Sequence, residues 1–190
     1  MKLLLLLCFP FFLNAQNALN PRVNSFIDSF DGSTNYFFVE ETHPGLILMI
    51  REVQYDCFQE SYYVFTELYW KDKSGNYFKK KFYPCSETDA NKIDSKAYEF
   101  AIANFELIKN EEVLPYQTKP DKIEDGKIIR YFSGKSHTAF RNYFFKKNNE
   151  IFSKKFDTYF ITTKGDNLNY EHNQNLKLIQ LENLILGEED

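Results

Sequence analysis

Residues 62–70, YYVFTELYW, restrict the fold more than any other part of the chain, because a strand built from them is apolar on both faces. With the two-residue period of a strand, Tyr62, Val64, Leu68 and Trp70 share one face with Thr66. Tyr63, Phe65 and Tyr69 share the other with Glu67. A turn over residues 72–75 supplies the glycine that a hairpin wants. The returning arm alternates Phe78 and Phe82 against Tyr77, Lys79, Lys81 and Tyr83, so one of its faces is wet. An isolated hairpin is marginal in water, so both faces of the first arm need a cover. The chain's own helices, a partner or a ligand could each supply it.

Two helices are legible. In NPRVNSFIDSFDG, Asn20 suits an N-cap, Pro21 the first helical position and Gly32 the exit. Val23, Phe26, Ile27 and Phe30 then form one apolar stripe. Residues 92–110 carry a broader stripe of Ile93, Ala97, Ala101, Phe105 and Ile108, widened by Tyr98 and Ile102. A sector that broad indicates a helix packed deeply on a sheet, and it is the simplest cover for the hairpin. Further strands are expected at 35–41, 46–53, 126–132, 138–147 and 157–163. His43-Pro44-Gly45 and Asn148-Asn149 would be turns. Residues 138–147 are ambiguous, because Phe140, Tyr143 and Phe144 also fit helical spacing. Residues 110–126, with Pro115 and Pro120, read as a loop between two halves, and 173–190 as a Leu-rich helix with an acidic tail at 187–190. The expected class is α+β: a largely antiparallel sheet of about six to seven strands with two or three helices packed on one side.

The N-terminus MKLLLLLCFPFFLNAQ has one charge at Lys2, an apolar run from Leu3 to Leu13 and the small Ala15 before Gln16. That is the layout of a secretory signal peptide, and the run falls short of the ~20 residues that span a bilayer. The expectation is cleavage of residues 1–15 and a single mature domain over 16–190, periplasmic or secreted, with no transmembrane segment. Acylation at Cys8 is disfavoured by Leu7, where a small residue is needed. Removing Lys2 moves the net charge from −4 to −5, which favours solubility. Two cysteines remain, Cys57 and Cys85, and an exported chain usually joins such a pair. The bridge would contribute about 3 kcal/mol by restricting the unfolded chain. Leader and composition, rich in Lys, Asn, Ile, Phe and Tyr, resemble those of exported proteins from AT-rich Gram-negative bacteria.

Catalytic signatures fail on inspection. SGKS at 133–136 lacks the glycine of a phosphate loop, with Ile129 in its place. Asp121, Asp125 and Gly126 have calcium-loop spacing, yet Ile123 and Phe132 stand where oxygen ligands are required. No nucleophile-elbow motif occurs. His43, His137 and His172 show no zinc spacing, so no metal or cofactor is expected. Residues 121–164 carry ten basic and five acidic side chains, and 165–190 carry one and six. Export argues against nucleic acid as the partner of the basic block.

The reading these observations favour is a non-enzymatic binding or envelope-associated module. Its candidate contact residues are Tyr69, Trp70, Tyr77 and Tyr83, which, if exposed, would form a stacking platform for a glycan, a peptide or another envelope protein. The alternative is a small exported hydrolase using carboxylates or His137. A third reading is an inhibitor or chaperone-like partner that presents a sheet edge.

Overall fold

The fold is seen in a computed structural model that describes residues 21–44 and 63–187. In chain order the elements are α1 (Pro21–Ile27), β1 (Tyr36–His43), β2 (Tyr63–Lys71), β3 (Tyr77–Phe82), β4 (Asn91–Lys92), α2 (Lys96–Ala103) and α3 (Phe105–Asn110). They continue with β5 (Gln117–Glu124), β6 (Lys127–Phe132), β7 (Phe140–Lys147), β8 (Glu150–Asp157), α4 (Tyr159–Thr162), α5 (Tyr170–Gln174) and α6 (Lys177–Gly187). Six strands form one antiparallel sheet in the order β4-β3-β2-β1-β7-β8, and β5 pairs only with β6. The class is α+β, as the sequence indicates.

Central strand β1 opens with Tyr36, Phe37, Phe38 and Val39, all buried. Successive side chains point to opposite faces, so four apolar residues in a row demand two covers. On one face Phe37 lies between Tyr69 and Phe145 of the neighbouring strands. Its ring stacks on Tyr69 at 4.6 Å, and Ala97, Ala101, Phe105, Ile108, Leu178, Leu181 and Ile185 of α2, α3 and α6 close over them. On the other face Phe38 stacks on Phe144 at 4.5 Å beside Leu68 and Trp70. Here the cover is α1: Val23 is fully buried, and Phe26 meets Trp70 edge-on at 5.3 Å and Phe82 at 5.7 Å. Edge-to-face contact suits the ring quadrupoles and adds to the area buried. The second face of the hairpin is therefore covered from within the chain.

Several expectations change. Helices pack on both sides of the sheet, not on one. The helix expected at 92–110 breaks at Asn104, whose side-chain amide donates to Phe100 O (2.9 Å) and competes with the helical ladder. Residues 138–147, ambiguous by spacing, hold strand β7. Within the expected loop lies β5. It forms through a two-residue Asp125-Gly126 turn with both φ positive (49° and 73°), the hairpin type that this dipeptide favours. The strand expected at 157–163 lies earlier, as β8, and the chain turns into α4 instead. There Asp157 Oδ1 accepts from the Tyr159 N–H (2.9 Å) and Thr162 donates to Thr158 O (2.9 Å). Local bonds of this kind favour a turn over an extended path. The expected strand at 46–53, residues 1–15 and Cys57 lie outside the described residues, and the expected bond to Cys85 falls there with them. Cys85 is half-buried after β3. Among the described residues no helix is long and apolar enough to cross a membrane.

Phe26→Ala is expected to lower the unfolding free energy by about 2 kcal/mol, since it removes the ring that seals α1 on Trp70 and Phe82. Leu107→Ala, at an exposed site, is expected to change it by less than about 0.5 kcal/mol. Urea titration followed by Trp70 fluorescence measures both.

Candidate functional site

The expected platform residues are placed as follows. Tyr69 is fully buried against Phe37, and Trp70 is 8% exposed beneath α1. They occupy opposite faces of β2 and share no surface. Tyr77 is half-buried, with its hydroxyl donating to Glu99 (2.5 Å) and the Lys71 ammonium 4.8 Å above its ring. Tyr83 is half-buried beyond the end of β3. Exposure, the condition for a stacking platform, is not met by Tyr69 or Trp70. High β-propensity and packing value put them in the core instead.

Titratable groups converge at one place, on the face of β1, β2 and β7 that α2, α3 and α6 cover. Arg141 lies 2.6 Å from Glu41 and 3.1 Å from Glu182 of α6. Tyr143 donates to Glu182, Tyr69 donates to Glu67 (2.8 Å), Lys81 pairs with Glu67, and His43 pairs with Glu41. Register explains the gathering. Glu41 and Arg141 are cross-strand partners, as are Glu67 and Lys81, and α6 lays Glu182 over the row. Burial raises the Glu182 carboxyl despite Arg141, and burial with Glu182 raises Tyr143 well above the usual phenol range. Burial pulls Arg141 down, but Glu182 and Glu41 outweigh it, so the guanidinium stays charged. These groups neutralise one another inside the fold. Removing one partner leaves a buried charge, which typically costs 3–5 kcal/mol.

Glu40 points to the opposite face from Glu41, in a cross-strand row with Thr66 and Asn142. It accepts from the Asn142 amide (3.2 Å), and burial pushes its carboxyl up to about 7. The remaining histidines do not join either group. His137 is exposed in a turn with φ of 61°, and His172 is exposed on α5. Among the described residues no three His, Cys, Asp or Glu side chains gather as metal ligands.

The surface offers a different site. β5 and β6 form an arm anchored at its base, where buried Tyr116 stacks on Tyr159 at 4.9 Å and donates to Asp166. The Gln117 N–H donates to Asn167 Oδ1 (3.2 Å), and the Leu168 N–H donates to Gln117 O (2.9 Å). From there the arm runs outward almost wholly exposed. Ile123 and Ile128, direct cross-strand partners, are 74% and 60% exposed, and Phe132 on the same face of β6 is 52% exposed. Arg130 sits between them, 3.5 Å from Asp121. The inner face carries Ile129 and Tyr131, both half-buried, with Lys119 5.5 Å above the Tyr131 ring. Sequence reasoning passed over this face because KIIRYF looks like any core strand. The Asp125-Gly126 pair beside it was the available signal.

Two outcomes follow. Gly165 has φ of +39°, and a Cβ there would lie 2.7 Å from the Tyr116 hydroxyl, so Gly165→Ala is expected to loosen the arm's base. Hydrogen exchange should rise across 116–133 and stay unchanged in β1. Glu40 is raised from 4.5 to about 7, so its contribution is full below about pH 4.5 and is lost as pH climbs through 7. Glu40→Gln should therefore flatten that decline and leave the protein more stable at pH 8, by about 3 kcal/mol at most. Denaturant midpoints at pH 5 and 8 provide the check. No protein-family model matches the chain, and no curated protein or solved structure matches it either.

Proposed function

We propose that the chain is an exported, non-enzymatic interaction module, freed of residues 1–15 and bridged between Cys57 and Cys85, that meets its partner through the β5–β6 arm. The observation that carries this reading is the outer face of the arm, where Ile123, Ile128 and Phe132 stand in solvent on a hairpin that no other described strand joins. Exposed apolar side chains gathered on one face of a projecting element, here with Arg130 among them, are a usual mark of an interaction surface. The core gains nothing from it, because Tyr116 anchors the arm at the base alone. The converging carboxylates speak for the same reading, since Arg141 and Lys81 already engage them inside the protein. Export is supported by the leader-like order of Lys2, the apolar run and Ala15.

The experiment places a photoreactive side chain at position 128 of the full chain in the exporting cell. A discrete cross-linked product is expected, lost when Ile123→Asp is added, together with a mature N-terminus at Gln16. The same probe at position 107, exposed on α3, should give none. Equal products from both positions, or none from 128, would overturn the reading.

A further inference from the structure

We infer that the outer edge of β6 accepts an extended, acidic–apolar segment of a partner polypeptide by strand addition; this rests on the reading of the arm as the contact element. The backbone makes the edge available. In a two-residue hairpin the flanking pair, here Glu124 and Lys127, exchanges hydrogen bonds, and alternate residues thereafter face the partner strand. Lys127, Ile129 and Tyr131 therefore turn their peptide groups toward β5, and the Ser133 N–H continues the series by donating to Tyr116 O (2.9 Å). Ile128, Arg130 and Phe132 turn theirs outward, and among the described residues no strand lies beyond them.

The two edges of the arm are not equivalent. β5 contains Pro120, which lacks an N–H, and its register shifts between Lys119 and Lys122. Proline and bulges blunt an edge. β6 has neither. Its side chains also specify the visitor. Residues 126–135 hold Lys127, Arg130 and Lys135 and no acid, so the edge is basic. Ile128, Arg130 and Phe132 share one face, so the complementary strand reads apolar, acidic, apolar at alternate positions.

A second copy of this chain fits less well. Pairing β6 with itself so that Ile128 meets Phe132 puts Arg130 directly against its own copy, and like charges opposite each other are destabilising.

The test uses the full mature chain and the peptide Thr-Val-Thr-Glu-Thr-Val-Thr, with Thr-Val-Thr-Lys-Thr-Val-Thr as its counterpart. Amide chemical shifts at 127–132 should respond to the Glu peptide, with affinity about tenfold above that for the Lys peptide, the scale of one well-placed charge pair. Arg130→Glu should reverse the preference, and N-methylation of the Glu peptide's alternate amides that face β6 should abolish binding. Equal binding of both peptides, binding that survives N-methylation of the amides that face β6, or no binding at all would overturn strand addition. Self-association abolished by Ile128→Asp would overturn it in favour of a second copy. Cross-linking from position 128 separates the two levels: products there without peptide binding reject the strand mechanism and leave the interaction module standing.

Discussion

Phe37 and Phe38 are adjacent in sequence and point to opposite sides of the central strand, and most of the architecture answers to that fact. Each ring stacks on an aromatic neighbour across the sheet, so β2 and β7 are drawn to either side of β1 with their own aromatics in register. A sheet with two apolar faces needs two layers of cover. The chain supplies them from separate stretches: α1 precedes the sheet and seals one side, while α2 and α3 from mid-chain and α6 from beyond β8 seal the other.

Polar groups inside this sandwich follow from the same alternation. Where β1 gives way to Glu40 and Glu41, one carboxylate is sent to each face, and each meets a partner from β7: Asn142 on one side and Arg141 on the other. The Arg141 side is the more demanding, since Glu67 and Glu182 are buried beside Glu41, and Arg141, Lys81 and His43 answer the three carboxylates together with the hydroxyls of Tyr69 and Tyr143. Glu111 adds a carboxylate of another kind. Its two oxygens accept the N–H groups of Lys177 and Leu178, satisfying the first turn of α6 and holding that helix over the charged row.

Elements that bury a stripe were legible in the sequence, and those held by local bonds were not. Val23, Phe26 and Phe30 announced α1, and Ala97, Ala101, Phe105 and Ile108 announced the helical cover after the hairpin. β5 offered no apolar period because it pairs with β6 in solvent, and β8 mixes Ser153, Lys154 and Lys155 into its edge position. Asn173 illustrates the same limit. Fully buried, it exchanges hydrogen bonds with Leu114 in both directions and reaches Phe160 O, tying three distant segments, and nothing in its neighbours marks it. At the site, aromatic residue type pointed to Tyr69 and Trp70, whereas exposure selects Ile123, Ile128 and Phe132. Residue type alone does not carry exposure.

The placement of α1 sets an order for assembly. Among the described residues the buried members of its core, Val23, Tyr36, Phe38, Leu68, Trp70 and Phe82, belong to the first 82 residues of the chain, and the half-buried Phe144 joins them later. The opposite core is complete only when Ile185 arrives. A chain emerging from its N-terminus can therefore close most of one side of the sheet early, whereas the other, roofed in part by α2 and α3, lacks α6 until residue 185. The flank of β1 that β7 occupies stays open until the chain has passed residue 140.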